Sequence, residues 1–150
     1  MTEDDLKHET ENLGLSFDKL GLSPLAGRVL AYLMLSETPF RTFDEIVVHL
    51  QASKSSVSTT LKYLEQMEMI SYKTLPGDRK RYFKVEPTRW VSLIKVNDKI
   101  RTMISVFDHV LALKKQKDPE IKEIRDLYLY LETEIPKLFQ RWEQTRKKYS

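Results

Sequence analysis

Residues 42–85 run TFDEIVVHLQASKSSVSTTLKYLEQMEMISYKTLPGDRKRYFKV. The stretch opens with a capping box. Thr42 can accept from the amide three residues on, and Glu45 can reach back to the amide of Thr42. Phe43, Ile46, Val47 and Leu50 then recur at helical spacing. Gln51-Ala52-Ser53 breaks the pattern, and Ser53 is placed to cap a second helix from Lys54 to about Met67. Val57, Leu61 and Leu64 form the buried stripe of that helix. At about 100° per residue its opposite face carries Ser55, Thr59, Lys62 and Gln66, flanked by Ser56, Ser58 and Tyr63. Small hydroxyl residues open the helix, and no acid appears before Glu65. Such an end presents free amides and a partial positive charge to any phosphate that approaches it.

A hairpin follows. Ile70, Tyr72 and Thr74 alternate with Ser71 and Lys73, as a strand requires. In Leu75-Pro76-Gly77-Asp78 the proline sets φ at the second position, and the glycine tolerates the positive φ of a type II turn at the third. Arg79-Lys80-Arg81 then leads into Tyr82-Phe83-Lys84-Val85. From Lys73 to Lys84 there are five basic side chains against one acid. Helix, turn, helix and basic hairpin is the layout of a winged helix-turn-helix, with the second helix in a major groove and the wing along backbone or minor groove. The candidate DNA-binding residues are Ser53, Lys54, Ser55, Ser56, Ser58, Thr59 and Lys62 on the helix. On the wing they are Lys73, Asp78, Arg79, Lys80 and Arg81.

The same residues resemble a known family. Ser53-Lys54-Ser55-Ser56-Val57-Ser58-Thr59-Thr60-Leu61, with Pro76-Gly77-Asp78-Arg79-Lys80-Arg81-Tyr82 downstream, is similar to the GbsR branch of the MarR-type transcriptional regulators. Gly27-Arg28-Val29-Leu30-Ala31-Tyr32-Leu33 fits that branch too. The likeness covers roughly residues 20–90; the two ends are alike only in being helical. It implies a dimeric prokaryotic regulator of transcription that acts on double-stranded DNA. It also implies that Asp78 and Arg79 act as a unit, the arginine reaching a minor groove and the aspartate holding it. Some members respond to a small-molecule effector, but no ligand motif in this chain carries that over.

Outward from this stretch, the fold class expected is mainly α with a small β-wing. Three parts are expected: a helical arm over residues 1–22, a winged helix-turn-helix domain over 23–86, and a helical dimerisation region over 87–150. Thr2 can cap a first helix whose face holds Leu6, Leu13, Phe17 and Leu20. Gly14 invites a bend or break there, because glycine lowers helix stability by about 1 kcal/mol relative to alanine. Gly21 is suited to the C-terminal cap. Ser23 caps the next helix with Pro24 at its first position, and Leu25, Val29, Leu30, Leu33 and Met34 give it an apolar face. Pro39-Phe40-Arg41 is a candidate third strand.

Beyond the wing, Pro87 marks a boundary and Thr88 a cap for a long helix to about Lys117. Leu93, Val96, Ile100, Met103, Phe107 and Val110 follow the three-four spacing of a heptad seam, widened by Ile94, Ile104 and Leu111. Asp118-Pro119-Glu120 starts a last helix. In it Ile121, Ile124, Tyr128, Leu131, Ile135, Leu138 and Trp142 repeat the alternation. Pro136 should kink or break this helix, and Arg146, Lys147 and Lys148 suit its C-terminus. Two such helices joined by a tight turn should pack antiparallel. They offer more apolar surface than one small domain covers, which favours a homodimer with twofold symmetry, joined by the N-terminal helix, over a hairpin folded back on its own domain.

Composition narrows the function. Without cysteine there is no disulfide framework, thiolate nucleophile or cysteine-held metal. No apolar run approaches the roughly 20 residues that span a bilayer, and the acidic N-terminus is no signal peptide; a cytoplasmic protein is expected. His8, His49 and His109 lack a second histidine at helical spacing, so no metal site is expected. The four glycines, Gly14, Gly21, Gly27 and Gly77, form no phosphate loop. No acid pair lies in an apolar context suited to acid–base work, so the chain is not expected to be an enzyme, and no cofactor is called for.

Residues 1–22 hold Glu3, Asp4, Asp5, Glu9, Glu11 and Asp18 against Lys7 and Lys19, a net of −4 that leaves +7 on the remainder. An acidic arm on a basic body suits an arm held away from a polyanion; a solvated helix face explains the acids equally well. Trp90, Phe107, Tyr128, Tyr130, Phe139 and Trp142 have the chemistry of a cage for a quaternary ammonium, but Phe107, Tyr128 and Trp142 fall on the seams, which favours core packing. The rival to DNA binding is a winged-helix adaptor that binds protein, which needs no basic wing. An RNA-binding winged helix is the third reading.

Overall fold

The computed structural model describes residues 1–94 and 97–149 of the 150-residue chain, and the side chains of 92–94, 97 and 147 lie outside that description. The chain forms two compact units, 1–90 and 91–150.

The first unit is built around α2 (Pro24–Leu35). Ser23 caps it, accepting from the Ala26 amide. Ala26, Val29, Leu30, Tyr32 and Leu33 are buried along it, while Met34 is exposed. α1 (Glu3–Asp18) precedes it and starts with a Thr2–Asp5 capping box. The break anticipated at Gly14 does not occur, because that glycine serves packing. A Cβ there would stand 2.7 Å from Arg28 Cγ, and one on Gly27 would stand 2.9 Å from Phe17 Cβ and 3.0 Å from the Gly14 carbonyl. Two glycines on facing helices thus permit a close crossing of α1 and α2. Leu6 and Phe17 pack against the core, but Leu13 and Leu20 are exposed, against the expectation of one shared face. Residue 20 lies past the helix end, in a turn where Gly21 adopts φ +87°.

α3 (Phe43–Leu50) carries the Thr42–Glu45 capping box, with the Thr42 amide donating to Glu45 Oε2 at 2.7 Å. Gln51 closes α3 in the left-handed region. Ser53 caps α4 (Lys54–Gln66), whose Val57, Leu61 and Leu64 are buried as the spacing requires. Three strands complete the unit: β1 (Arg41–Thr42), β2 (Ile70–Thr74) and β3 (Arg81–Val85), in the order β1-β3-β2. β3 is central and antiparallel to both neighbours, with Phe83 opposite Arg41 on one side and Tyr72 on the other. Ile70, Phe83 and Met69 join α2, α3 and α4 in one core.

α5 (Pro87–Ile94) leads out of this unit. Its Trp90 packs on Phe17, ring centroids 6.1 Å apart.

In the second unit, α6 (Asn97–Leu113) and α7 (Pro119–Thr145) form an antiparallel hairpin. Arg101 pairs with Glu132, Phe107 meets Tyr128 edge-on, and Asp108 pairs with Arg125. Ile100 and Ile104 are buried. Val96 of the expected seam lies outside the described residues, as do the side chains of Leu93, Ile94 and Lys147. α6 ends at Leu113, short of the expected Lys117. Lys114, Lys115 and Lys117 crowd like charges there, and the residue before a proline avoids helical geometry. Asp118 caps α7 through the Ile121 amide at 3.0 Å and pairs with Lys114. α7 runs unbroken through Pro136. The missing hydrogen bond is one among the many of a 27-residue helix. No described helix is long and apolar enough to cross a membrane.

Candidate nucleic-acid interface

α4 begins with a run of hydroxyls tied to one another. Ser53 Oγ accepts from the Ser56 amide at 3.1 Å and bonds the hydroxyls of Ser55 and Ser56. Thr59 Oγ1 donates to the Ser55 carbonyl at 3.0 Å. These bonds keep the side chains short against the helix, so that little stands between the first-turn amides and solvent. Ser53, Lys54, Ser55, Ser56, Thr59 and Lys62 are exposed, and Ser58 is half-buried. No acid lies in the first turn of α4.

The wing tip has the expected turn. The Asp78 amide donates to the Leu75 carbonyl at 3.0 Å, and Gly77 takes φ +77°. The five basic residues of the hairpin divide sharply. Lys73 Nζ sits 3.8 Å from the centre of the Phe40 ring. The Arg81 guanidinium lies 5.1 Å from the Tyr72 ring and 5.3 Å from that of Phe83. Lys84 pairs with Glu86 at 3.2 Å. Arg79 and Lys80, both exposed at the tip, have no ion pair or ring contact among the described residues. They are therefore the two cations best placed to meet an outside anion.

Asp78 has partners other than the one that the resemblance implies. Its Oδ2 accepts from the Tyr82 hydroxyl at 2.6 Å and its Oδ1 from the Lys80 amide at 2.9 Å. No Asp78–Arg79 ion pair is present among the described residues. The Tyr82 bond first, and the Lys80 amide after it, hold the Asp78 carboxyl below its ordinary value; the same bond raises the Tyr82 phenol. Sequence reasoning passed over Tyr82 and Phe40. The four-residue spacing from Asp78 to Tyr82 was the available signal for the first.

Of the three histidines, His49 has a place in the packing. His49 stacks on Tyr32 with ring centres 3.9 Å apart. Thr10 Oγ1 donates to the Leu6 carbonyl at 2.7 Å and meets His49 Nε2 at 3.1 Å, so the imidazole carries its proton on Nε2. Burial, and then the charge of Lys7, lower the pKa of His49. His8 and His109 are exposed. Several of the aromatic residues pair in packing contacts: Trp90 with Phe17, Phe107 with Tyr128, and Trp142 with Tyr149.

If α4 lies in a groove, Lys62→Ala and Thr59→Ala each weaken and relax recognition of the preferred DNA site, by about 1–3 kcal/mol per lost base contact. Titrations of preferred and scrambled duplexes test this. Unchanged affinity and preference in both variants would take α4 out of the groove.

A profile of the MarR family matches residues 20–81, and one of MmpR5-like MarR family transcriptional regulators matches residues 89–145. The HTH-type transcriptional regulator MmpR5 of Mycobacterium tuberculosis is 28% identical over 149 residues, covering 95% of this chain and 89% of that protein. A crystal structure of a transcriptional regulator superposes with a TM-score of 0.70 at 27% identity, over 93% of this chain and 99% of that one. Its fold extends the likeness across both units. The two profiles name one family for the winged unit and for the helices that follow, and the chain belongs to the MarR family of transcriptional regulators.

Proposed function

We propose that this chain regulates transcription as a homodimer bound to duplex DNA with inverted half-sites. α4 enters the major groove, and Arg79 and Lys80 lie at the flanking backbone or minor groove. The observation that carries this reading is the division of the wing cations. Three are engaged by ring faces or an acid, and two are left exposed at a fixed tip. A protein adaptor has no use for that arrangement, or for an acid-free hydroxyl-rich helix start. Within the family, the patterns Ser53–Leu61 and Pro76–Tyr82 support a GbsR-like member, and the protein is expected to act in the cytoplasm, where its DNA is. Response to a small molecule, which the resemblance implies for some members, would register as a ligand-dependent shift in the titration below.

The test is a duplex titration at several salt concentrations. Lys54, Lys62, Arg79 and Lys80 on two copies give a log–log slope of roughly −7 if all eight meet phosphate, since each phosphate neutralised contributes about −0.9. Absence of duplex binding at low salt refutes the reading and leaves the protein adaptor. Equal affinity for duplex RNA points to the RNA-binding alternative.

A further inference from the structure

We infer that Tyr82 is a positioning residue for DNA binding: its bond to Asp78 ties the wing tip down so that Arg79 and Lys80 project from an ordered loop. The inference rests on the DNA reading above and changes its mechanism at the tip. In the arrangement implied by the resemblance, the carboxylate holds the guanidinium of Arg79. Here the carboxylate is already occupied. One oxygen receives the Tyr82 hydroxyl at 2.6 Å and the other the Lys80 amide at 2.9 Å.

Tyr82 is well placed to anchor a loop. It lies on the central strand, opposite Thr42 of β1 and Lys73 of β2, so its backbone is held from both sides. Its side chain leaves the sheet face that carries Lys73 and Lys84, the face away from Phe83. From there it spans back to residue 78, across the loop that connects the two strands. Together with the Asp78 amide bonded to the Leu75 carbonyl and the Lys80 amide bonded to Asp78 Oδ1, this gives the six-residue loop three ties. Each is independent of DNA. A loop ordered beforehand loses less conformational freedom when its arginine and lysine meet phosphate. The tie needs no positive partner for Asp78, and it leaves both tip cations free for the ligand.

The balance of charge and order then has a definite sign. Removing Asp78 takes a negative charge from a DNA-facing tip, and on charge alone that should tighten binding. Removing Tyr82's hydroxyl changes no charge at all. If order decides, both changes weaken binding, and they do so through the same bond.

The experiment compares wild type, Tyr82→Phe, Asp78→Ala and the double variant on a duplex selected by the wild-type protein from random sequence. A hydrogen bond to an ionised group is worth about tenfold or more in an equilibrium constant, and part of that appears as affinity. The dissociation constant of Tyr82→Phe rises about three- to tenfold, with an unchanged salt slope and an unchanged active fraction. Lys80→Ala, by contrast, lowers the slope by about one per lost phosphate contact. Asp78→Ala weakens binding at least as much, and adding Tyr82→Phe to it has no further effect, because the two share one interaction. In the free protein, hydrogen exchange at the Lys80 amide quickens in Tyr82→Phe. A purely structural role would lower thermal stability and active fraction while leaving the affinity of the active fraction alone. Wild-type affinity in Tyr82→Phe, or tighter binding by Asp78→Ala, overturns the inference while the DNA reading stands. A wild-type protein that binds no duplex overturns both.

Discussion

Phe83→Ala lowers the stability of the first unit by about 3–5 kcal/mol, the range for deleting a buried aromatic ring. For a unit of this size that is a fall in melting temperature of more than about 10 °C. Phe83 is fully buried, and it stands on the strand that joins the two halves of the sheet. Its ring is 5.7 Å from that of Tyr72. A cavity here therefore loosens the wing's attachment to the helices at the same time as it removes apolar burial. The Arg81 guanidinium lies over the same ring, so the truncation also frees a cation now held against the sheet. Val48→Ala is the contrast: that side chain is 73% exposed on α3, and its loss should stay within about 0.5 kcal/mol. Chemical denaturation followed by circular dichroism reads both. A loss below 1 kcal/mol for Phe83→Ala would mean that the sheet does not depend on its central aromatic.

The features that could be anticipated from sequence are those decided by near neighbours. Ser23, Thr42, Ser53 and Asp118 cap their helices because each bond runs to an amide three residues on. The Pro76-Gly77 turn is settled within four residues. What escaped lies in longer contacts. Gly14 looked like a weak point of α1, and only the approach of Arg28 and Gly27 shows its use. The ring contacts of the wing cations Lys73 and Arg81, with Phe40, Tyr72 and Phe83, join residues from different strands and loops, and no local pattern announces them. The resemblance pairs Asp78 with Arg79, its neighbour in sequence, whereas the turn brings it to the Tyr82 hydroxyl. The apolar alternation of α7 was visible, but not its division. Ile121, Tyr128, Leu131 and Ile135 are half-buried, while Ile124, Leu138 and Trp142 are exposed.

That division leads to the remaining prediction: a protein carrying Leu127→Lys and Leu138→Lys sediments as a monomer and loses about 10²–10⁴-fold in affinity for a two-half-site operator. α7 has no buried residue in the chain by itself. Ile124, Leu127, Tyr130, Leu138 and Trp142 are between 43% and 63% exposed. At about 100° per residue they fall within one stripe roughly 120° wide. Large apolar side chains gathered in one stripe, with Glu134 and Arg141 among them, favour a cover, and a second copy offers an identical stripe about a twofold axis. Charges at two positions of the stripe leave the α6 contacts of α7 in place, since those use Arg125, Tyr128 and Glu132. Helicity should therefore persist in the variant, which separates lost assembly from lost folding. Two linked DNA-binding units gain from effective concentration, because the second half-site is met without a second encounter. Separated copies lose that gain while keeping their affinity for a single half-site. The half-sites should be centred about 34–36 Å apart, or a multiple of that distance. Removing residues 119–150 altogether should give monomers or aggregates. Sedimentation at micromolar concentration decides between the two pictures: a well-behaved monomer for the intact chain would return the stripe to solvent and remove the basis for an inverted-repeat operator.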